Sequence, residues 1–236
     1  MNRRHPSFTK RPFYTPDQVE DIAAASLRSV GLLPGSPEPV RIDRFIEKKL
    51  GVVPEFESLA PGVLGYTRFG SDGVDAVVVS AELAEQKDVV SQRRVTTTLA
   101  HEAGHALLHA GFFLPEAFSQ SLFDSEDVSS ERVLCRDEDA ADRSGVGNAR
   151  VSHRDRWWEI QANMVMAALL LPRHLVTTAV TPLLTETGML GVPRLEDGNR
   201  EAAARLLADV FEVNPVVGRY RLERLFPPSD ASQLTL

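Results

Sequence analysis

The sequence predicts an α+β fold, with helices around a small antiparallel sheet and a C-terminal helical pair. Three observations carry that prediction. Apolar residues recur at helical spacing in several separate stretches. A glycine-punctuated stretch before residue 80 switches to strand character. Two short helical patterns follow one another near residues 198–212 and 215–226.

In chain order, residues 1–15 are basic and read as a flexible arm. "PDQVEDIAAASLRSVGLL" follows with helical periodicity, Pro16 in its first turn and Gly31 near its end. "EPVRIDRFIEKKLG" repeats the pattern and stops at Gly51. In "VVPEFESLAPGVLGYTRFGSDGVDAVVVS" the segment "VDAVVVS" is a strand and "SDG" the turn of a hairpin. Helical pattern returns from about Asp88 to Ala110. Residues 111–155 resist assignment: they hold eight acids between Asp124 and Asp142 and the loop-like "RSGVGN". A strongly apolar helix runs from about Trp157 to Leu171. The organisation expected is an arm over 1–15, a main domain over 16–180, and a helix-turn-helix-like segment over 181–236 packed on the core.

A chain of 236 residues is long enough for one sizeable domain. Its net charge of −7 argues against nucleic acid as the main partner, because phosphate binding needs a basic footprint. The single cysteine, Cys135, excludes an intrachain disulfide and fits a reducing compartment. "MNRRHPSFTKRPF" lacks the apolar core of a signal peptide, and no apolar run approaches a membrane span. A cytoplasmic location is expected.

The stretch "TLAHEAGHALLH", residues 98–109, concentrates the chemistry. At roughly 100° per residue, Arg94, Thr98, His101, His105 and His109 share one stripe. Val95, Leu99, Ala103, Ala106, Leu107 and Ala110 occupy the opposite face, which must meet a core. A solvated surface is one reading of the polar stripe, but solvated faces carry Lys and Glu rather than three histidines at successive i, i+4 steps. Two histidines at that spacing aim imidazole nitrogens at one ion, with Glu102 beside them to hold an attacking water. Catalytic zinc takes three protein ligands and keeps one position open, so a third ligand is needed from a neighbouring element.

"RWWEIQANMVMAALLLP" offers Glu159, with Asn163 one turn later on the same stripe. A carboxylate in a buried helix is costly unless it is paired or coordinated. Equally, Glu159 in an exposed first turn would merely complement the helix dipole. Wheel and burial arguments leave both readings open.

Together, "TLAHEAGHALLH" and "EIQANMVMAALLLP" resemble the ImmA/IrrE family of metallo-endopeptidases, which pairs an AHELGH-type helix with a later helix ending in proline. The similarity runs from about Asp17 to Leu225 and includes the closing "LADVFEVNPVVGRYRLERL". The resemblance implies a zincin-like metallopeptidase domain with His101 and His105 as zinc ligands, Glu159 as the third, gluzincin-like ligand, and Glu102 as the catalytic glutamate. It makes Asn163 a supporting residue. One zinc ion per chain is the implied cofactor. The implied partner is a protein substrate, a cytoplasmic transcriptional repressor or similar regulator cut to release its regulon.

The sequence also departs from the family pattern. Thr96 and Thr97 stand where Arg and an aromatic residue are common, while Arg94 keeps a basic residue two turns before His101. The 53 residues between His105 and Glu159 form a long connection. His109 reads as a histidine supporting the site or the core, since three ligands suffice. Cys135 reads as an ordinary thiol rather than a zinc-masking thiolate. Trp157 and Trp158 read as packing of the ligand helix. Nothing in the sequence raises His153 or Tyr66 to an oxyanion-stabilising role.

A rival reading comes from the C-terminal segment. Asn214 is a good N-cap and Pro215 a good first helical residue, and the helix they open carries Arg219, Arg221 and Arg224. Those arginines suggest a DNA-binding helix-turn-helix, a reading that the acidic chain opposes. A non-catalytic regulator-binding module is the other alternative.

Overall fold

The computed structural model describes residues 13–70, 72–112, 131–136, 157–187 and 192–228. Residues 1–12 of the arm expected over 1–15, most of the acidic segment, "RSGVGN" and His153 lie outside them.

Helix α1 (Pro16–Ser29) begins at a capping box: Gln18 N donates to Thr15 Oγ1, and Thr15 N donates to Gln18 Oε1 at 2.8 Å. Thr15, counted with the arm in the sequence reading, therefore belongs to this helix. Helix α2 (Ile42–Phe45) continues as a π-helical turn, Ile46–Leu50, and stops at Gly51, whose φ of 76° suits glycine. Strand β1 (Glu55–Glu57) precedes the hairpin of β2 (Val63–Gly70) and β3 (Gly73–Ser80). Ser80 caps the short α3 (Ala81–Glu85), and Asp88 accepts from Ser91 N at 3.0 Å to open α4 (Val89–His109). Then follow β4 (Glu131–Arg136), α5 (Trp157–Leu170) and α6 (Arg173–Val180). A second hairpin of β5 (Leu184–Thr187) and β6 (Val192–Leu195) precedes α7 (Arg200–Val210) and α8 (Pro215–Leu225).

The architecture is mixed α+β. The main sheet has the order β1-β3-β2-β4, and it is not wholly antiparallel as expected. β2 pairs antiparallel with both β3 and β4, but β1 pairs parallel with β3. The hairpin fills one side of β3, so β1 takes the free side and runs alongside it. β4 supplies a strand within the stretch that resisted assignment, at "ERVLCR". Cys135 occupies β4 in register with Gly65. The β5–β6 hairpin was not foreseen either; Pro193 weakens its strand signal.

Helix α4 lies between the sheet and α5. Its approach to each depends on a glycine. A Cβ on Gly65 would stand 2.7 Å from Thr98 Cγ2, and one on Gly104 would stand 2.8 Å from the Ala162 carbonyl oxygen. α5 is buried along its length from Met164 to Leu170, in a core shared with Leu27, Phe45, Val79, Leu99 and Leu207.

The C-terminal pair joins the same core. Arg221 is buried, and its Nε donates to the Leu171 carbonyl at 2.8 Å. Its guanidinium forks onto Glu20 of α1, with Nη2 donating to Oε2 at 2.8 Å and Nη1 to Oε1. Among the described residues, no single helix is long and apolar enough to cross a membrane.

Candidate metal centre

The polar stripe of α4 is not a wet surface. His101, Glu102, His105 and His109 are all completely buried, and Thr98 is 2% exposed. The sheet covers one flank and α5 the other, so these side chains must satisfy one another or bind something.

Two of them, His101 and His105, converge with Glu159. Nε2 of His101 and Nε2 of His105 lie 3.0 Å apart. Glu159 places Oε2 at 3.1 Å from His101 Nε2 and Oε1 at 3.5 Å from His105 Nε2. Ligands held at about 2.0–2.1 Å on one tetrahedral zinc stand about 3.3–3.4 Å from one another. The observed separations bracket that spacing. His101, His105 and Glu159 form a group that could hold a metal ion.

The donor chemistry fits a cation. Asn163 Oδ1 lies 3.1 Å from His101 Nδ1 and accepts its proton, so a neutral His101 turns a lone pair at Nε2 toward the Glu159 carboxylate. A lone pair facing a carboxylate is repulsive unless a proton or a cation lies between them. Burial alone would raise the Glu159 carboxyl, but His105 and His101 hold it well below the ordinary carboxylate range. Glu159 is thus an anion facing two imidazoles, and the exposed-turn reading of this residue fails: its side chain is only 17% exposed.

Glu102 stands apart from the three. Thr67 Oγ1 on β2 donates to Glu102 Oε2 at 2.7 Å and also lies 3.1 Å from the Glu102 carbonyl. Glu102 Oε1 is buried and has no hydrogen-bond partner among the described residues. Such an oxygen is expensive to leave bare, and a water in the site would satisfy it. Burial pushes the Glu102 carboxyl up to about 8, against opposing pulls from His105 and the Thr67 bond.

The surrounding residues divide clearly. His109 Nδ1 lies 3.0 Å from His105 Nδ1, and its Nε2 lies 3.2 Å from Gln161 Oε1. Burial lowers the His109 pKa to about 3. Trp158 stands edge-on to His105, with centroids 5.9 Å apart, and Trp157 edge-on to His109 at 5.6 Å. Arg94 is half-buried two turns before His101, about 10 Å along the helix axis. The three-ligand group closes without it. Tyr66 lies on the other face of β2 from Thr67, with its hydroxyl donating to Glu57 Oε2 at 2.9 Å.

Two participants escaped the sequence reading. Thr67 has no motif to mark it, and its contact with Glu102 spans 35 residues. Gln161 stands inside the quoted α5 motif and was passed over. No protein-family model matches the chain, and no curated protein matches it. The resemblance carried by the two helices therefore stands on those motifs alone.

Proposed function

We propose that this protein is a zinc-dependent endopeptidase of zincin-like fold, with His101, His105 and Glu159 as the ligands and Glu102 as the general base. The observation that carries the reading is the buried Oε1 of Glu102, without a hydrogen-bond partner among the described residues, on the residue next in sequence to His101 of the three-ligand group. A hydrolase needs a carboxylate oxygen aimed at its water, whereas a purely structural metal site closes its fourth position with protein. The resemblance of the two motif helices to ImmA/IrrE metallo-endopeptidases supports the same assignment.

Zinc, when bound there, supplies a Lewis acid that lowers the pKa of water and polarises the scissile carbonyl. Glu102 takes the water's proton at Oε1 and passes it to the leaving amine. Thr67 fixes Oε2, so the free oxygen has one orientation. Asn163 holds the His101 ring through Nδ1. The substrate is a cytoplasmic regulator, in keeping with the family resemblance.

The DNA-binding alternative finds less support in the C-terminal helices. Arg221 is committed to Glu20, Arg219 donates to Glu201 at 2.8 and 3.0 Å, and Arg224 stacks over the Tyr220 ring. Purified protein incubated with regulators encoded beside its gene tests the enzyme reading. One regulator should be cut at a single bond by the wild type and left intact by Glu102→Gln with zinc retained. Cleavage by Glu102→Gln at the wild-type rate removes the base assignment. Binding of a regulator without cleavage by either protein favours the non-catalytic module.

A further inference from the structure

Beyond the three ligands lies a buried polar line that the hydrolytic scheme does not use. It runs from Gln161 on α5 through His109 to His105 on α4. Gln161 is 5% exposed, and both histidines are fully buried. The spacings are 3.2 Å from Gln161 Oε1 to His109 Nε2 and 3.0 Å between the two Nδ1 atoms. Each lies in the range of a made hydrogen bond.

The Gln161 oxygen at the end of the line sets the direction in which protons on neutral rings follow it. An amide oxygen can only accept, so His109 Nε2 carries a proton and donates it to Gln161. The other nitrogen of that ring, Nδ1, is then a lone pair and accepts from His105 Nδ1–H. The remaining nitrogen of His105, Nε2, is in turn a lone pair, directed at His101 Nε2 and Glu159 Oε1. We propose that Gln161, acting through His109, fixes the tautomer of His105 and so presents its Nε2 to the metal. The inference rests on the zinc reading above and adds a determinant of metal affinity to it. Gln161 and His109 are positioning residues: neither enters the three-ligand group. His101 reaches the same end by a shorter route, through Asn163.

The test is zinc affinity of the full-length protein, stripped of metal and titrated against a chromogenic chelator. Gln161→Met keeps the length of the side chain and removes the acceptor. Its zinc affinity should fall about 10–100-fold, the usual effect of losing a partner that orients a ligand. Gln161→Glu keeps an acceptor of the same shape and should bind within about threefold of wild type or tighter. His109→Phe should weaken zinc as Gln161→Met does, and combining the two should add less than about twofold, because they break one line. Long-range proton–nitrogen NMR of the wild type supplies a readout independent of any variant, and the proposal requires His105 to be protonated at Nδ1.

An affinity of Gln161→Met within about twofold of wild type overturns the relay. So does a Gln161→Glu protein as weak as Gln161→Met, or a His105 protonated at Nε2. In each case wild-type zinc binding stands, and only the relay falls. A wild-type chain that takes up no zinc overturns the metal reading itself, and the relay with it.

Discussion

Thr67 and Glu102 meet across 35 residues of sequence, hydroxyl to carboxylate oxygen, at 2.7 Å. The bond ties the sheet to Glu102 and leaves its second carboxylate oxygen without a partner among the described residues. Thr67→Val removes the hydroxyl at nearly constant volume. A hydrogen bond to a charged group contributes about 1.5–3 kcal/mol, so turnover of the cleaved regulator should fall roughly tenfold or more with KM little changed. Thr67→Ser should restore it. Equal zinc content in all three proteins would separate this effect from loss of the metal, and a Thr67→Val enzyme with wild-type kcat would refute the role.

Zinc should be present at about one ion per chain. His101→Ala, His105→Ala and Glu159→Ala should each lose most of it, with a lower thermal midpoint than the zinc-loaded wild type. Elemental analysis of the purified variants decides the matter. Undiminished zinc in Glu159→Ala would place the third ligand elsewhere.

Gly104 should tolerate no side chain. In Gly104→Ala the added methyl would lie 2.8 Å from the Ala162 carbonyl oxygen, so α5 must retreat from α4. Overpacking of this kind costs about 1–3 kcal/mol, which outweighs the gain of at most about 1 kcal/mol from alanine's helix propensity. Glu159 lies less than a turn from Ala162 on the same helix, so zinc affinity should fall along with stability. Calorimetry and chelator competition on one sample measure both. A stabilised Gly104→Ala would show that the helices have room.

Acid should act partly through Glu201. Arg219 first, and Arg205 with it, hold its carboxylate at about 2, below the ordinary 4.5. A depressed carboxylate contributes its stability above the unfolded pKa and loses it as pH falls through the folded value. The window is therefore pH 4.5 down to about 2. Glu201→Gln should flatten the pH dependence of the urea midpoint within that window and leave it unchanged at neutral pH apart from a constant offset. Identical curves for the two proteins would mean the pair contributes nothing.

The legible parts of this molecule were those written in local pattern. α4 reads directly from its stripe and α5 from its apolar run, whereas the Thr15 cap was missed and counted with the arm. His101 and His105 are marked by their own spacing. Glu159 was not, since burial of its turn depends on what packs there, and only the second motif's resemblance favoured it. Sheet order was out of reach, because nothing local tells β1 to lie beside β3 rather than β2. β4 was hidden by its acidic surroundings, and Thr67 by the distance along the chain to its partner. The arginines of α8 raised the DNA-binding alternative on their charge alone. A wheel shows that Arg221 is charged but not that Glu20 waits for it inside the fold.

The Arg221–Glu20 clamp also has a meaning in time. Its two halves are 201 residues apart, and its third partner, the Leu171 carbonyl, lies just beyond the end of α5. A ribosome makes Glu20 early and Arg221 late, so a nascent chain holds both α4 and α5 before it can lock the far end of α5. Until α8 emerges, the carboxylate of Glu20 has lost its buried partner and favours hydration over the closed core. The far end of α5 is thus among the last parts of the core to be tied down, after the chain between Glu20 and Arg221 has been made.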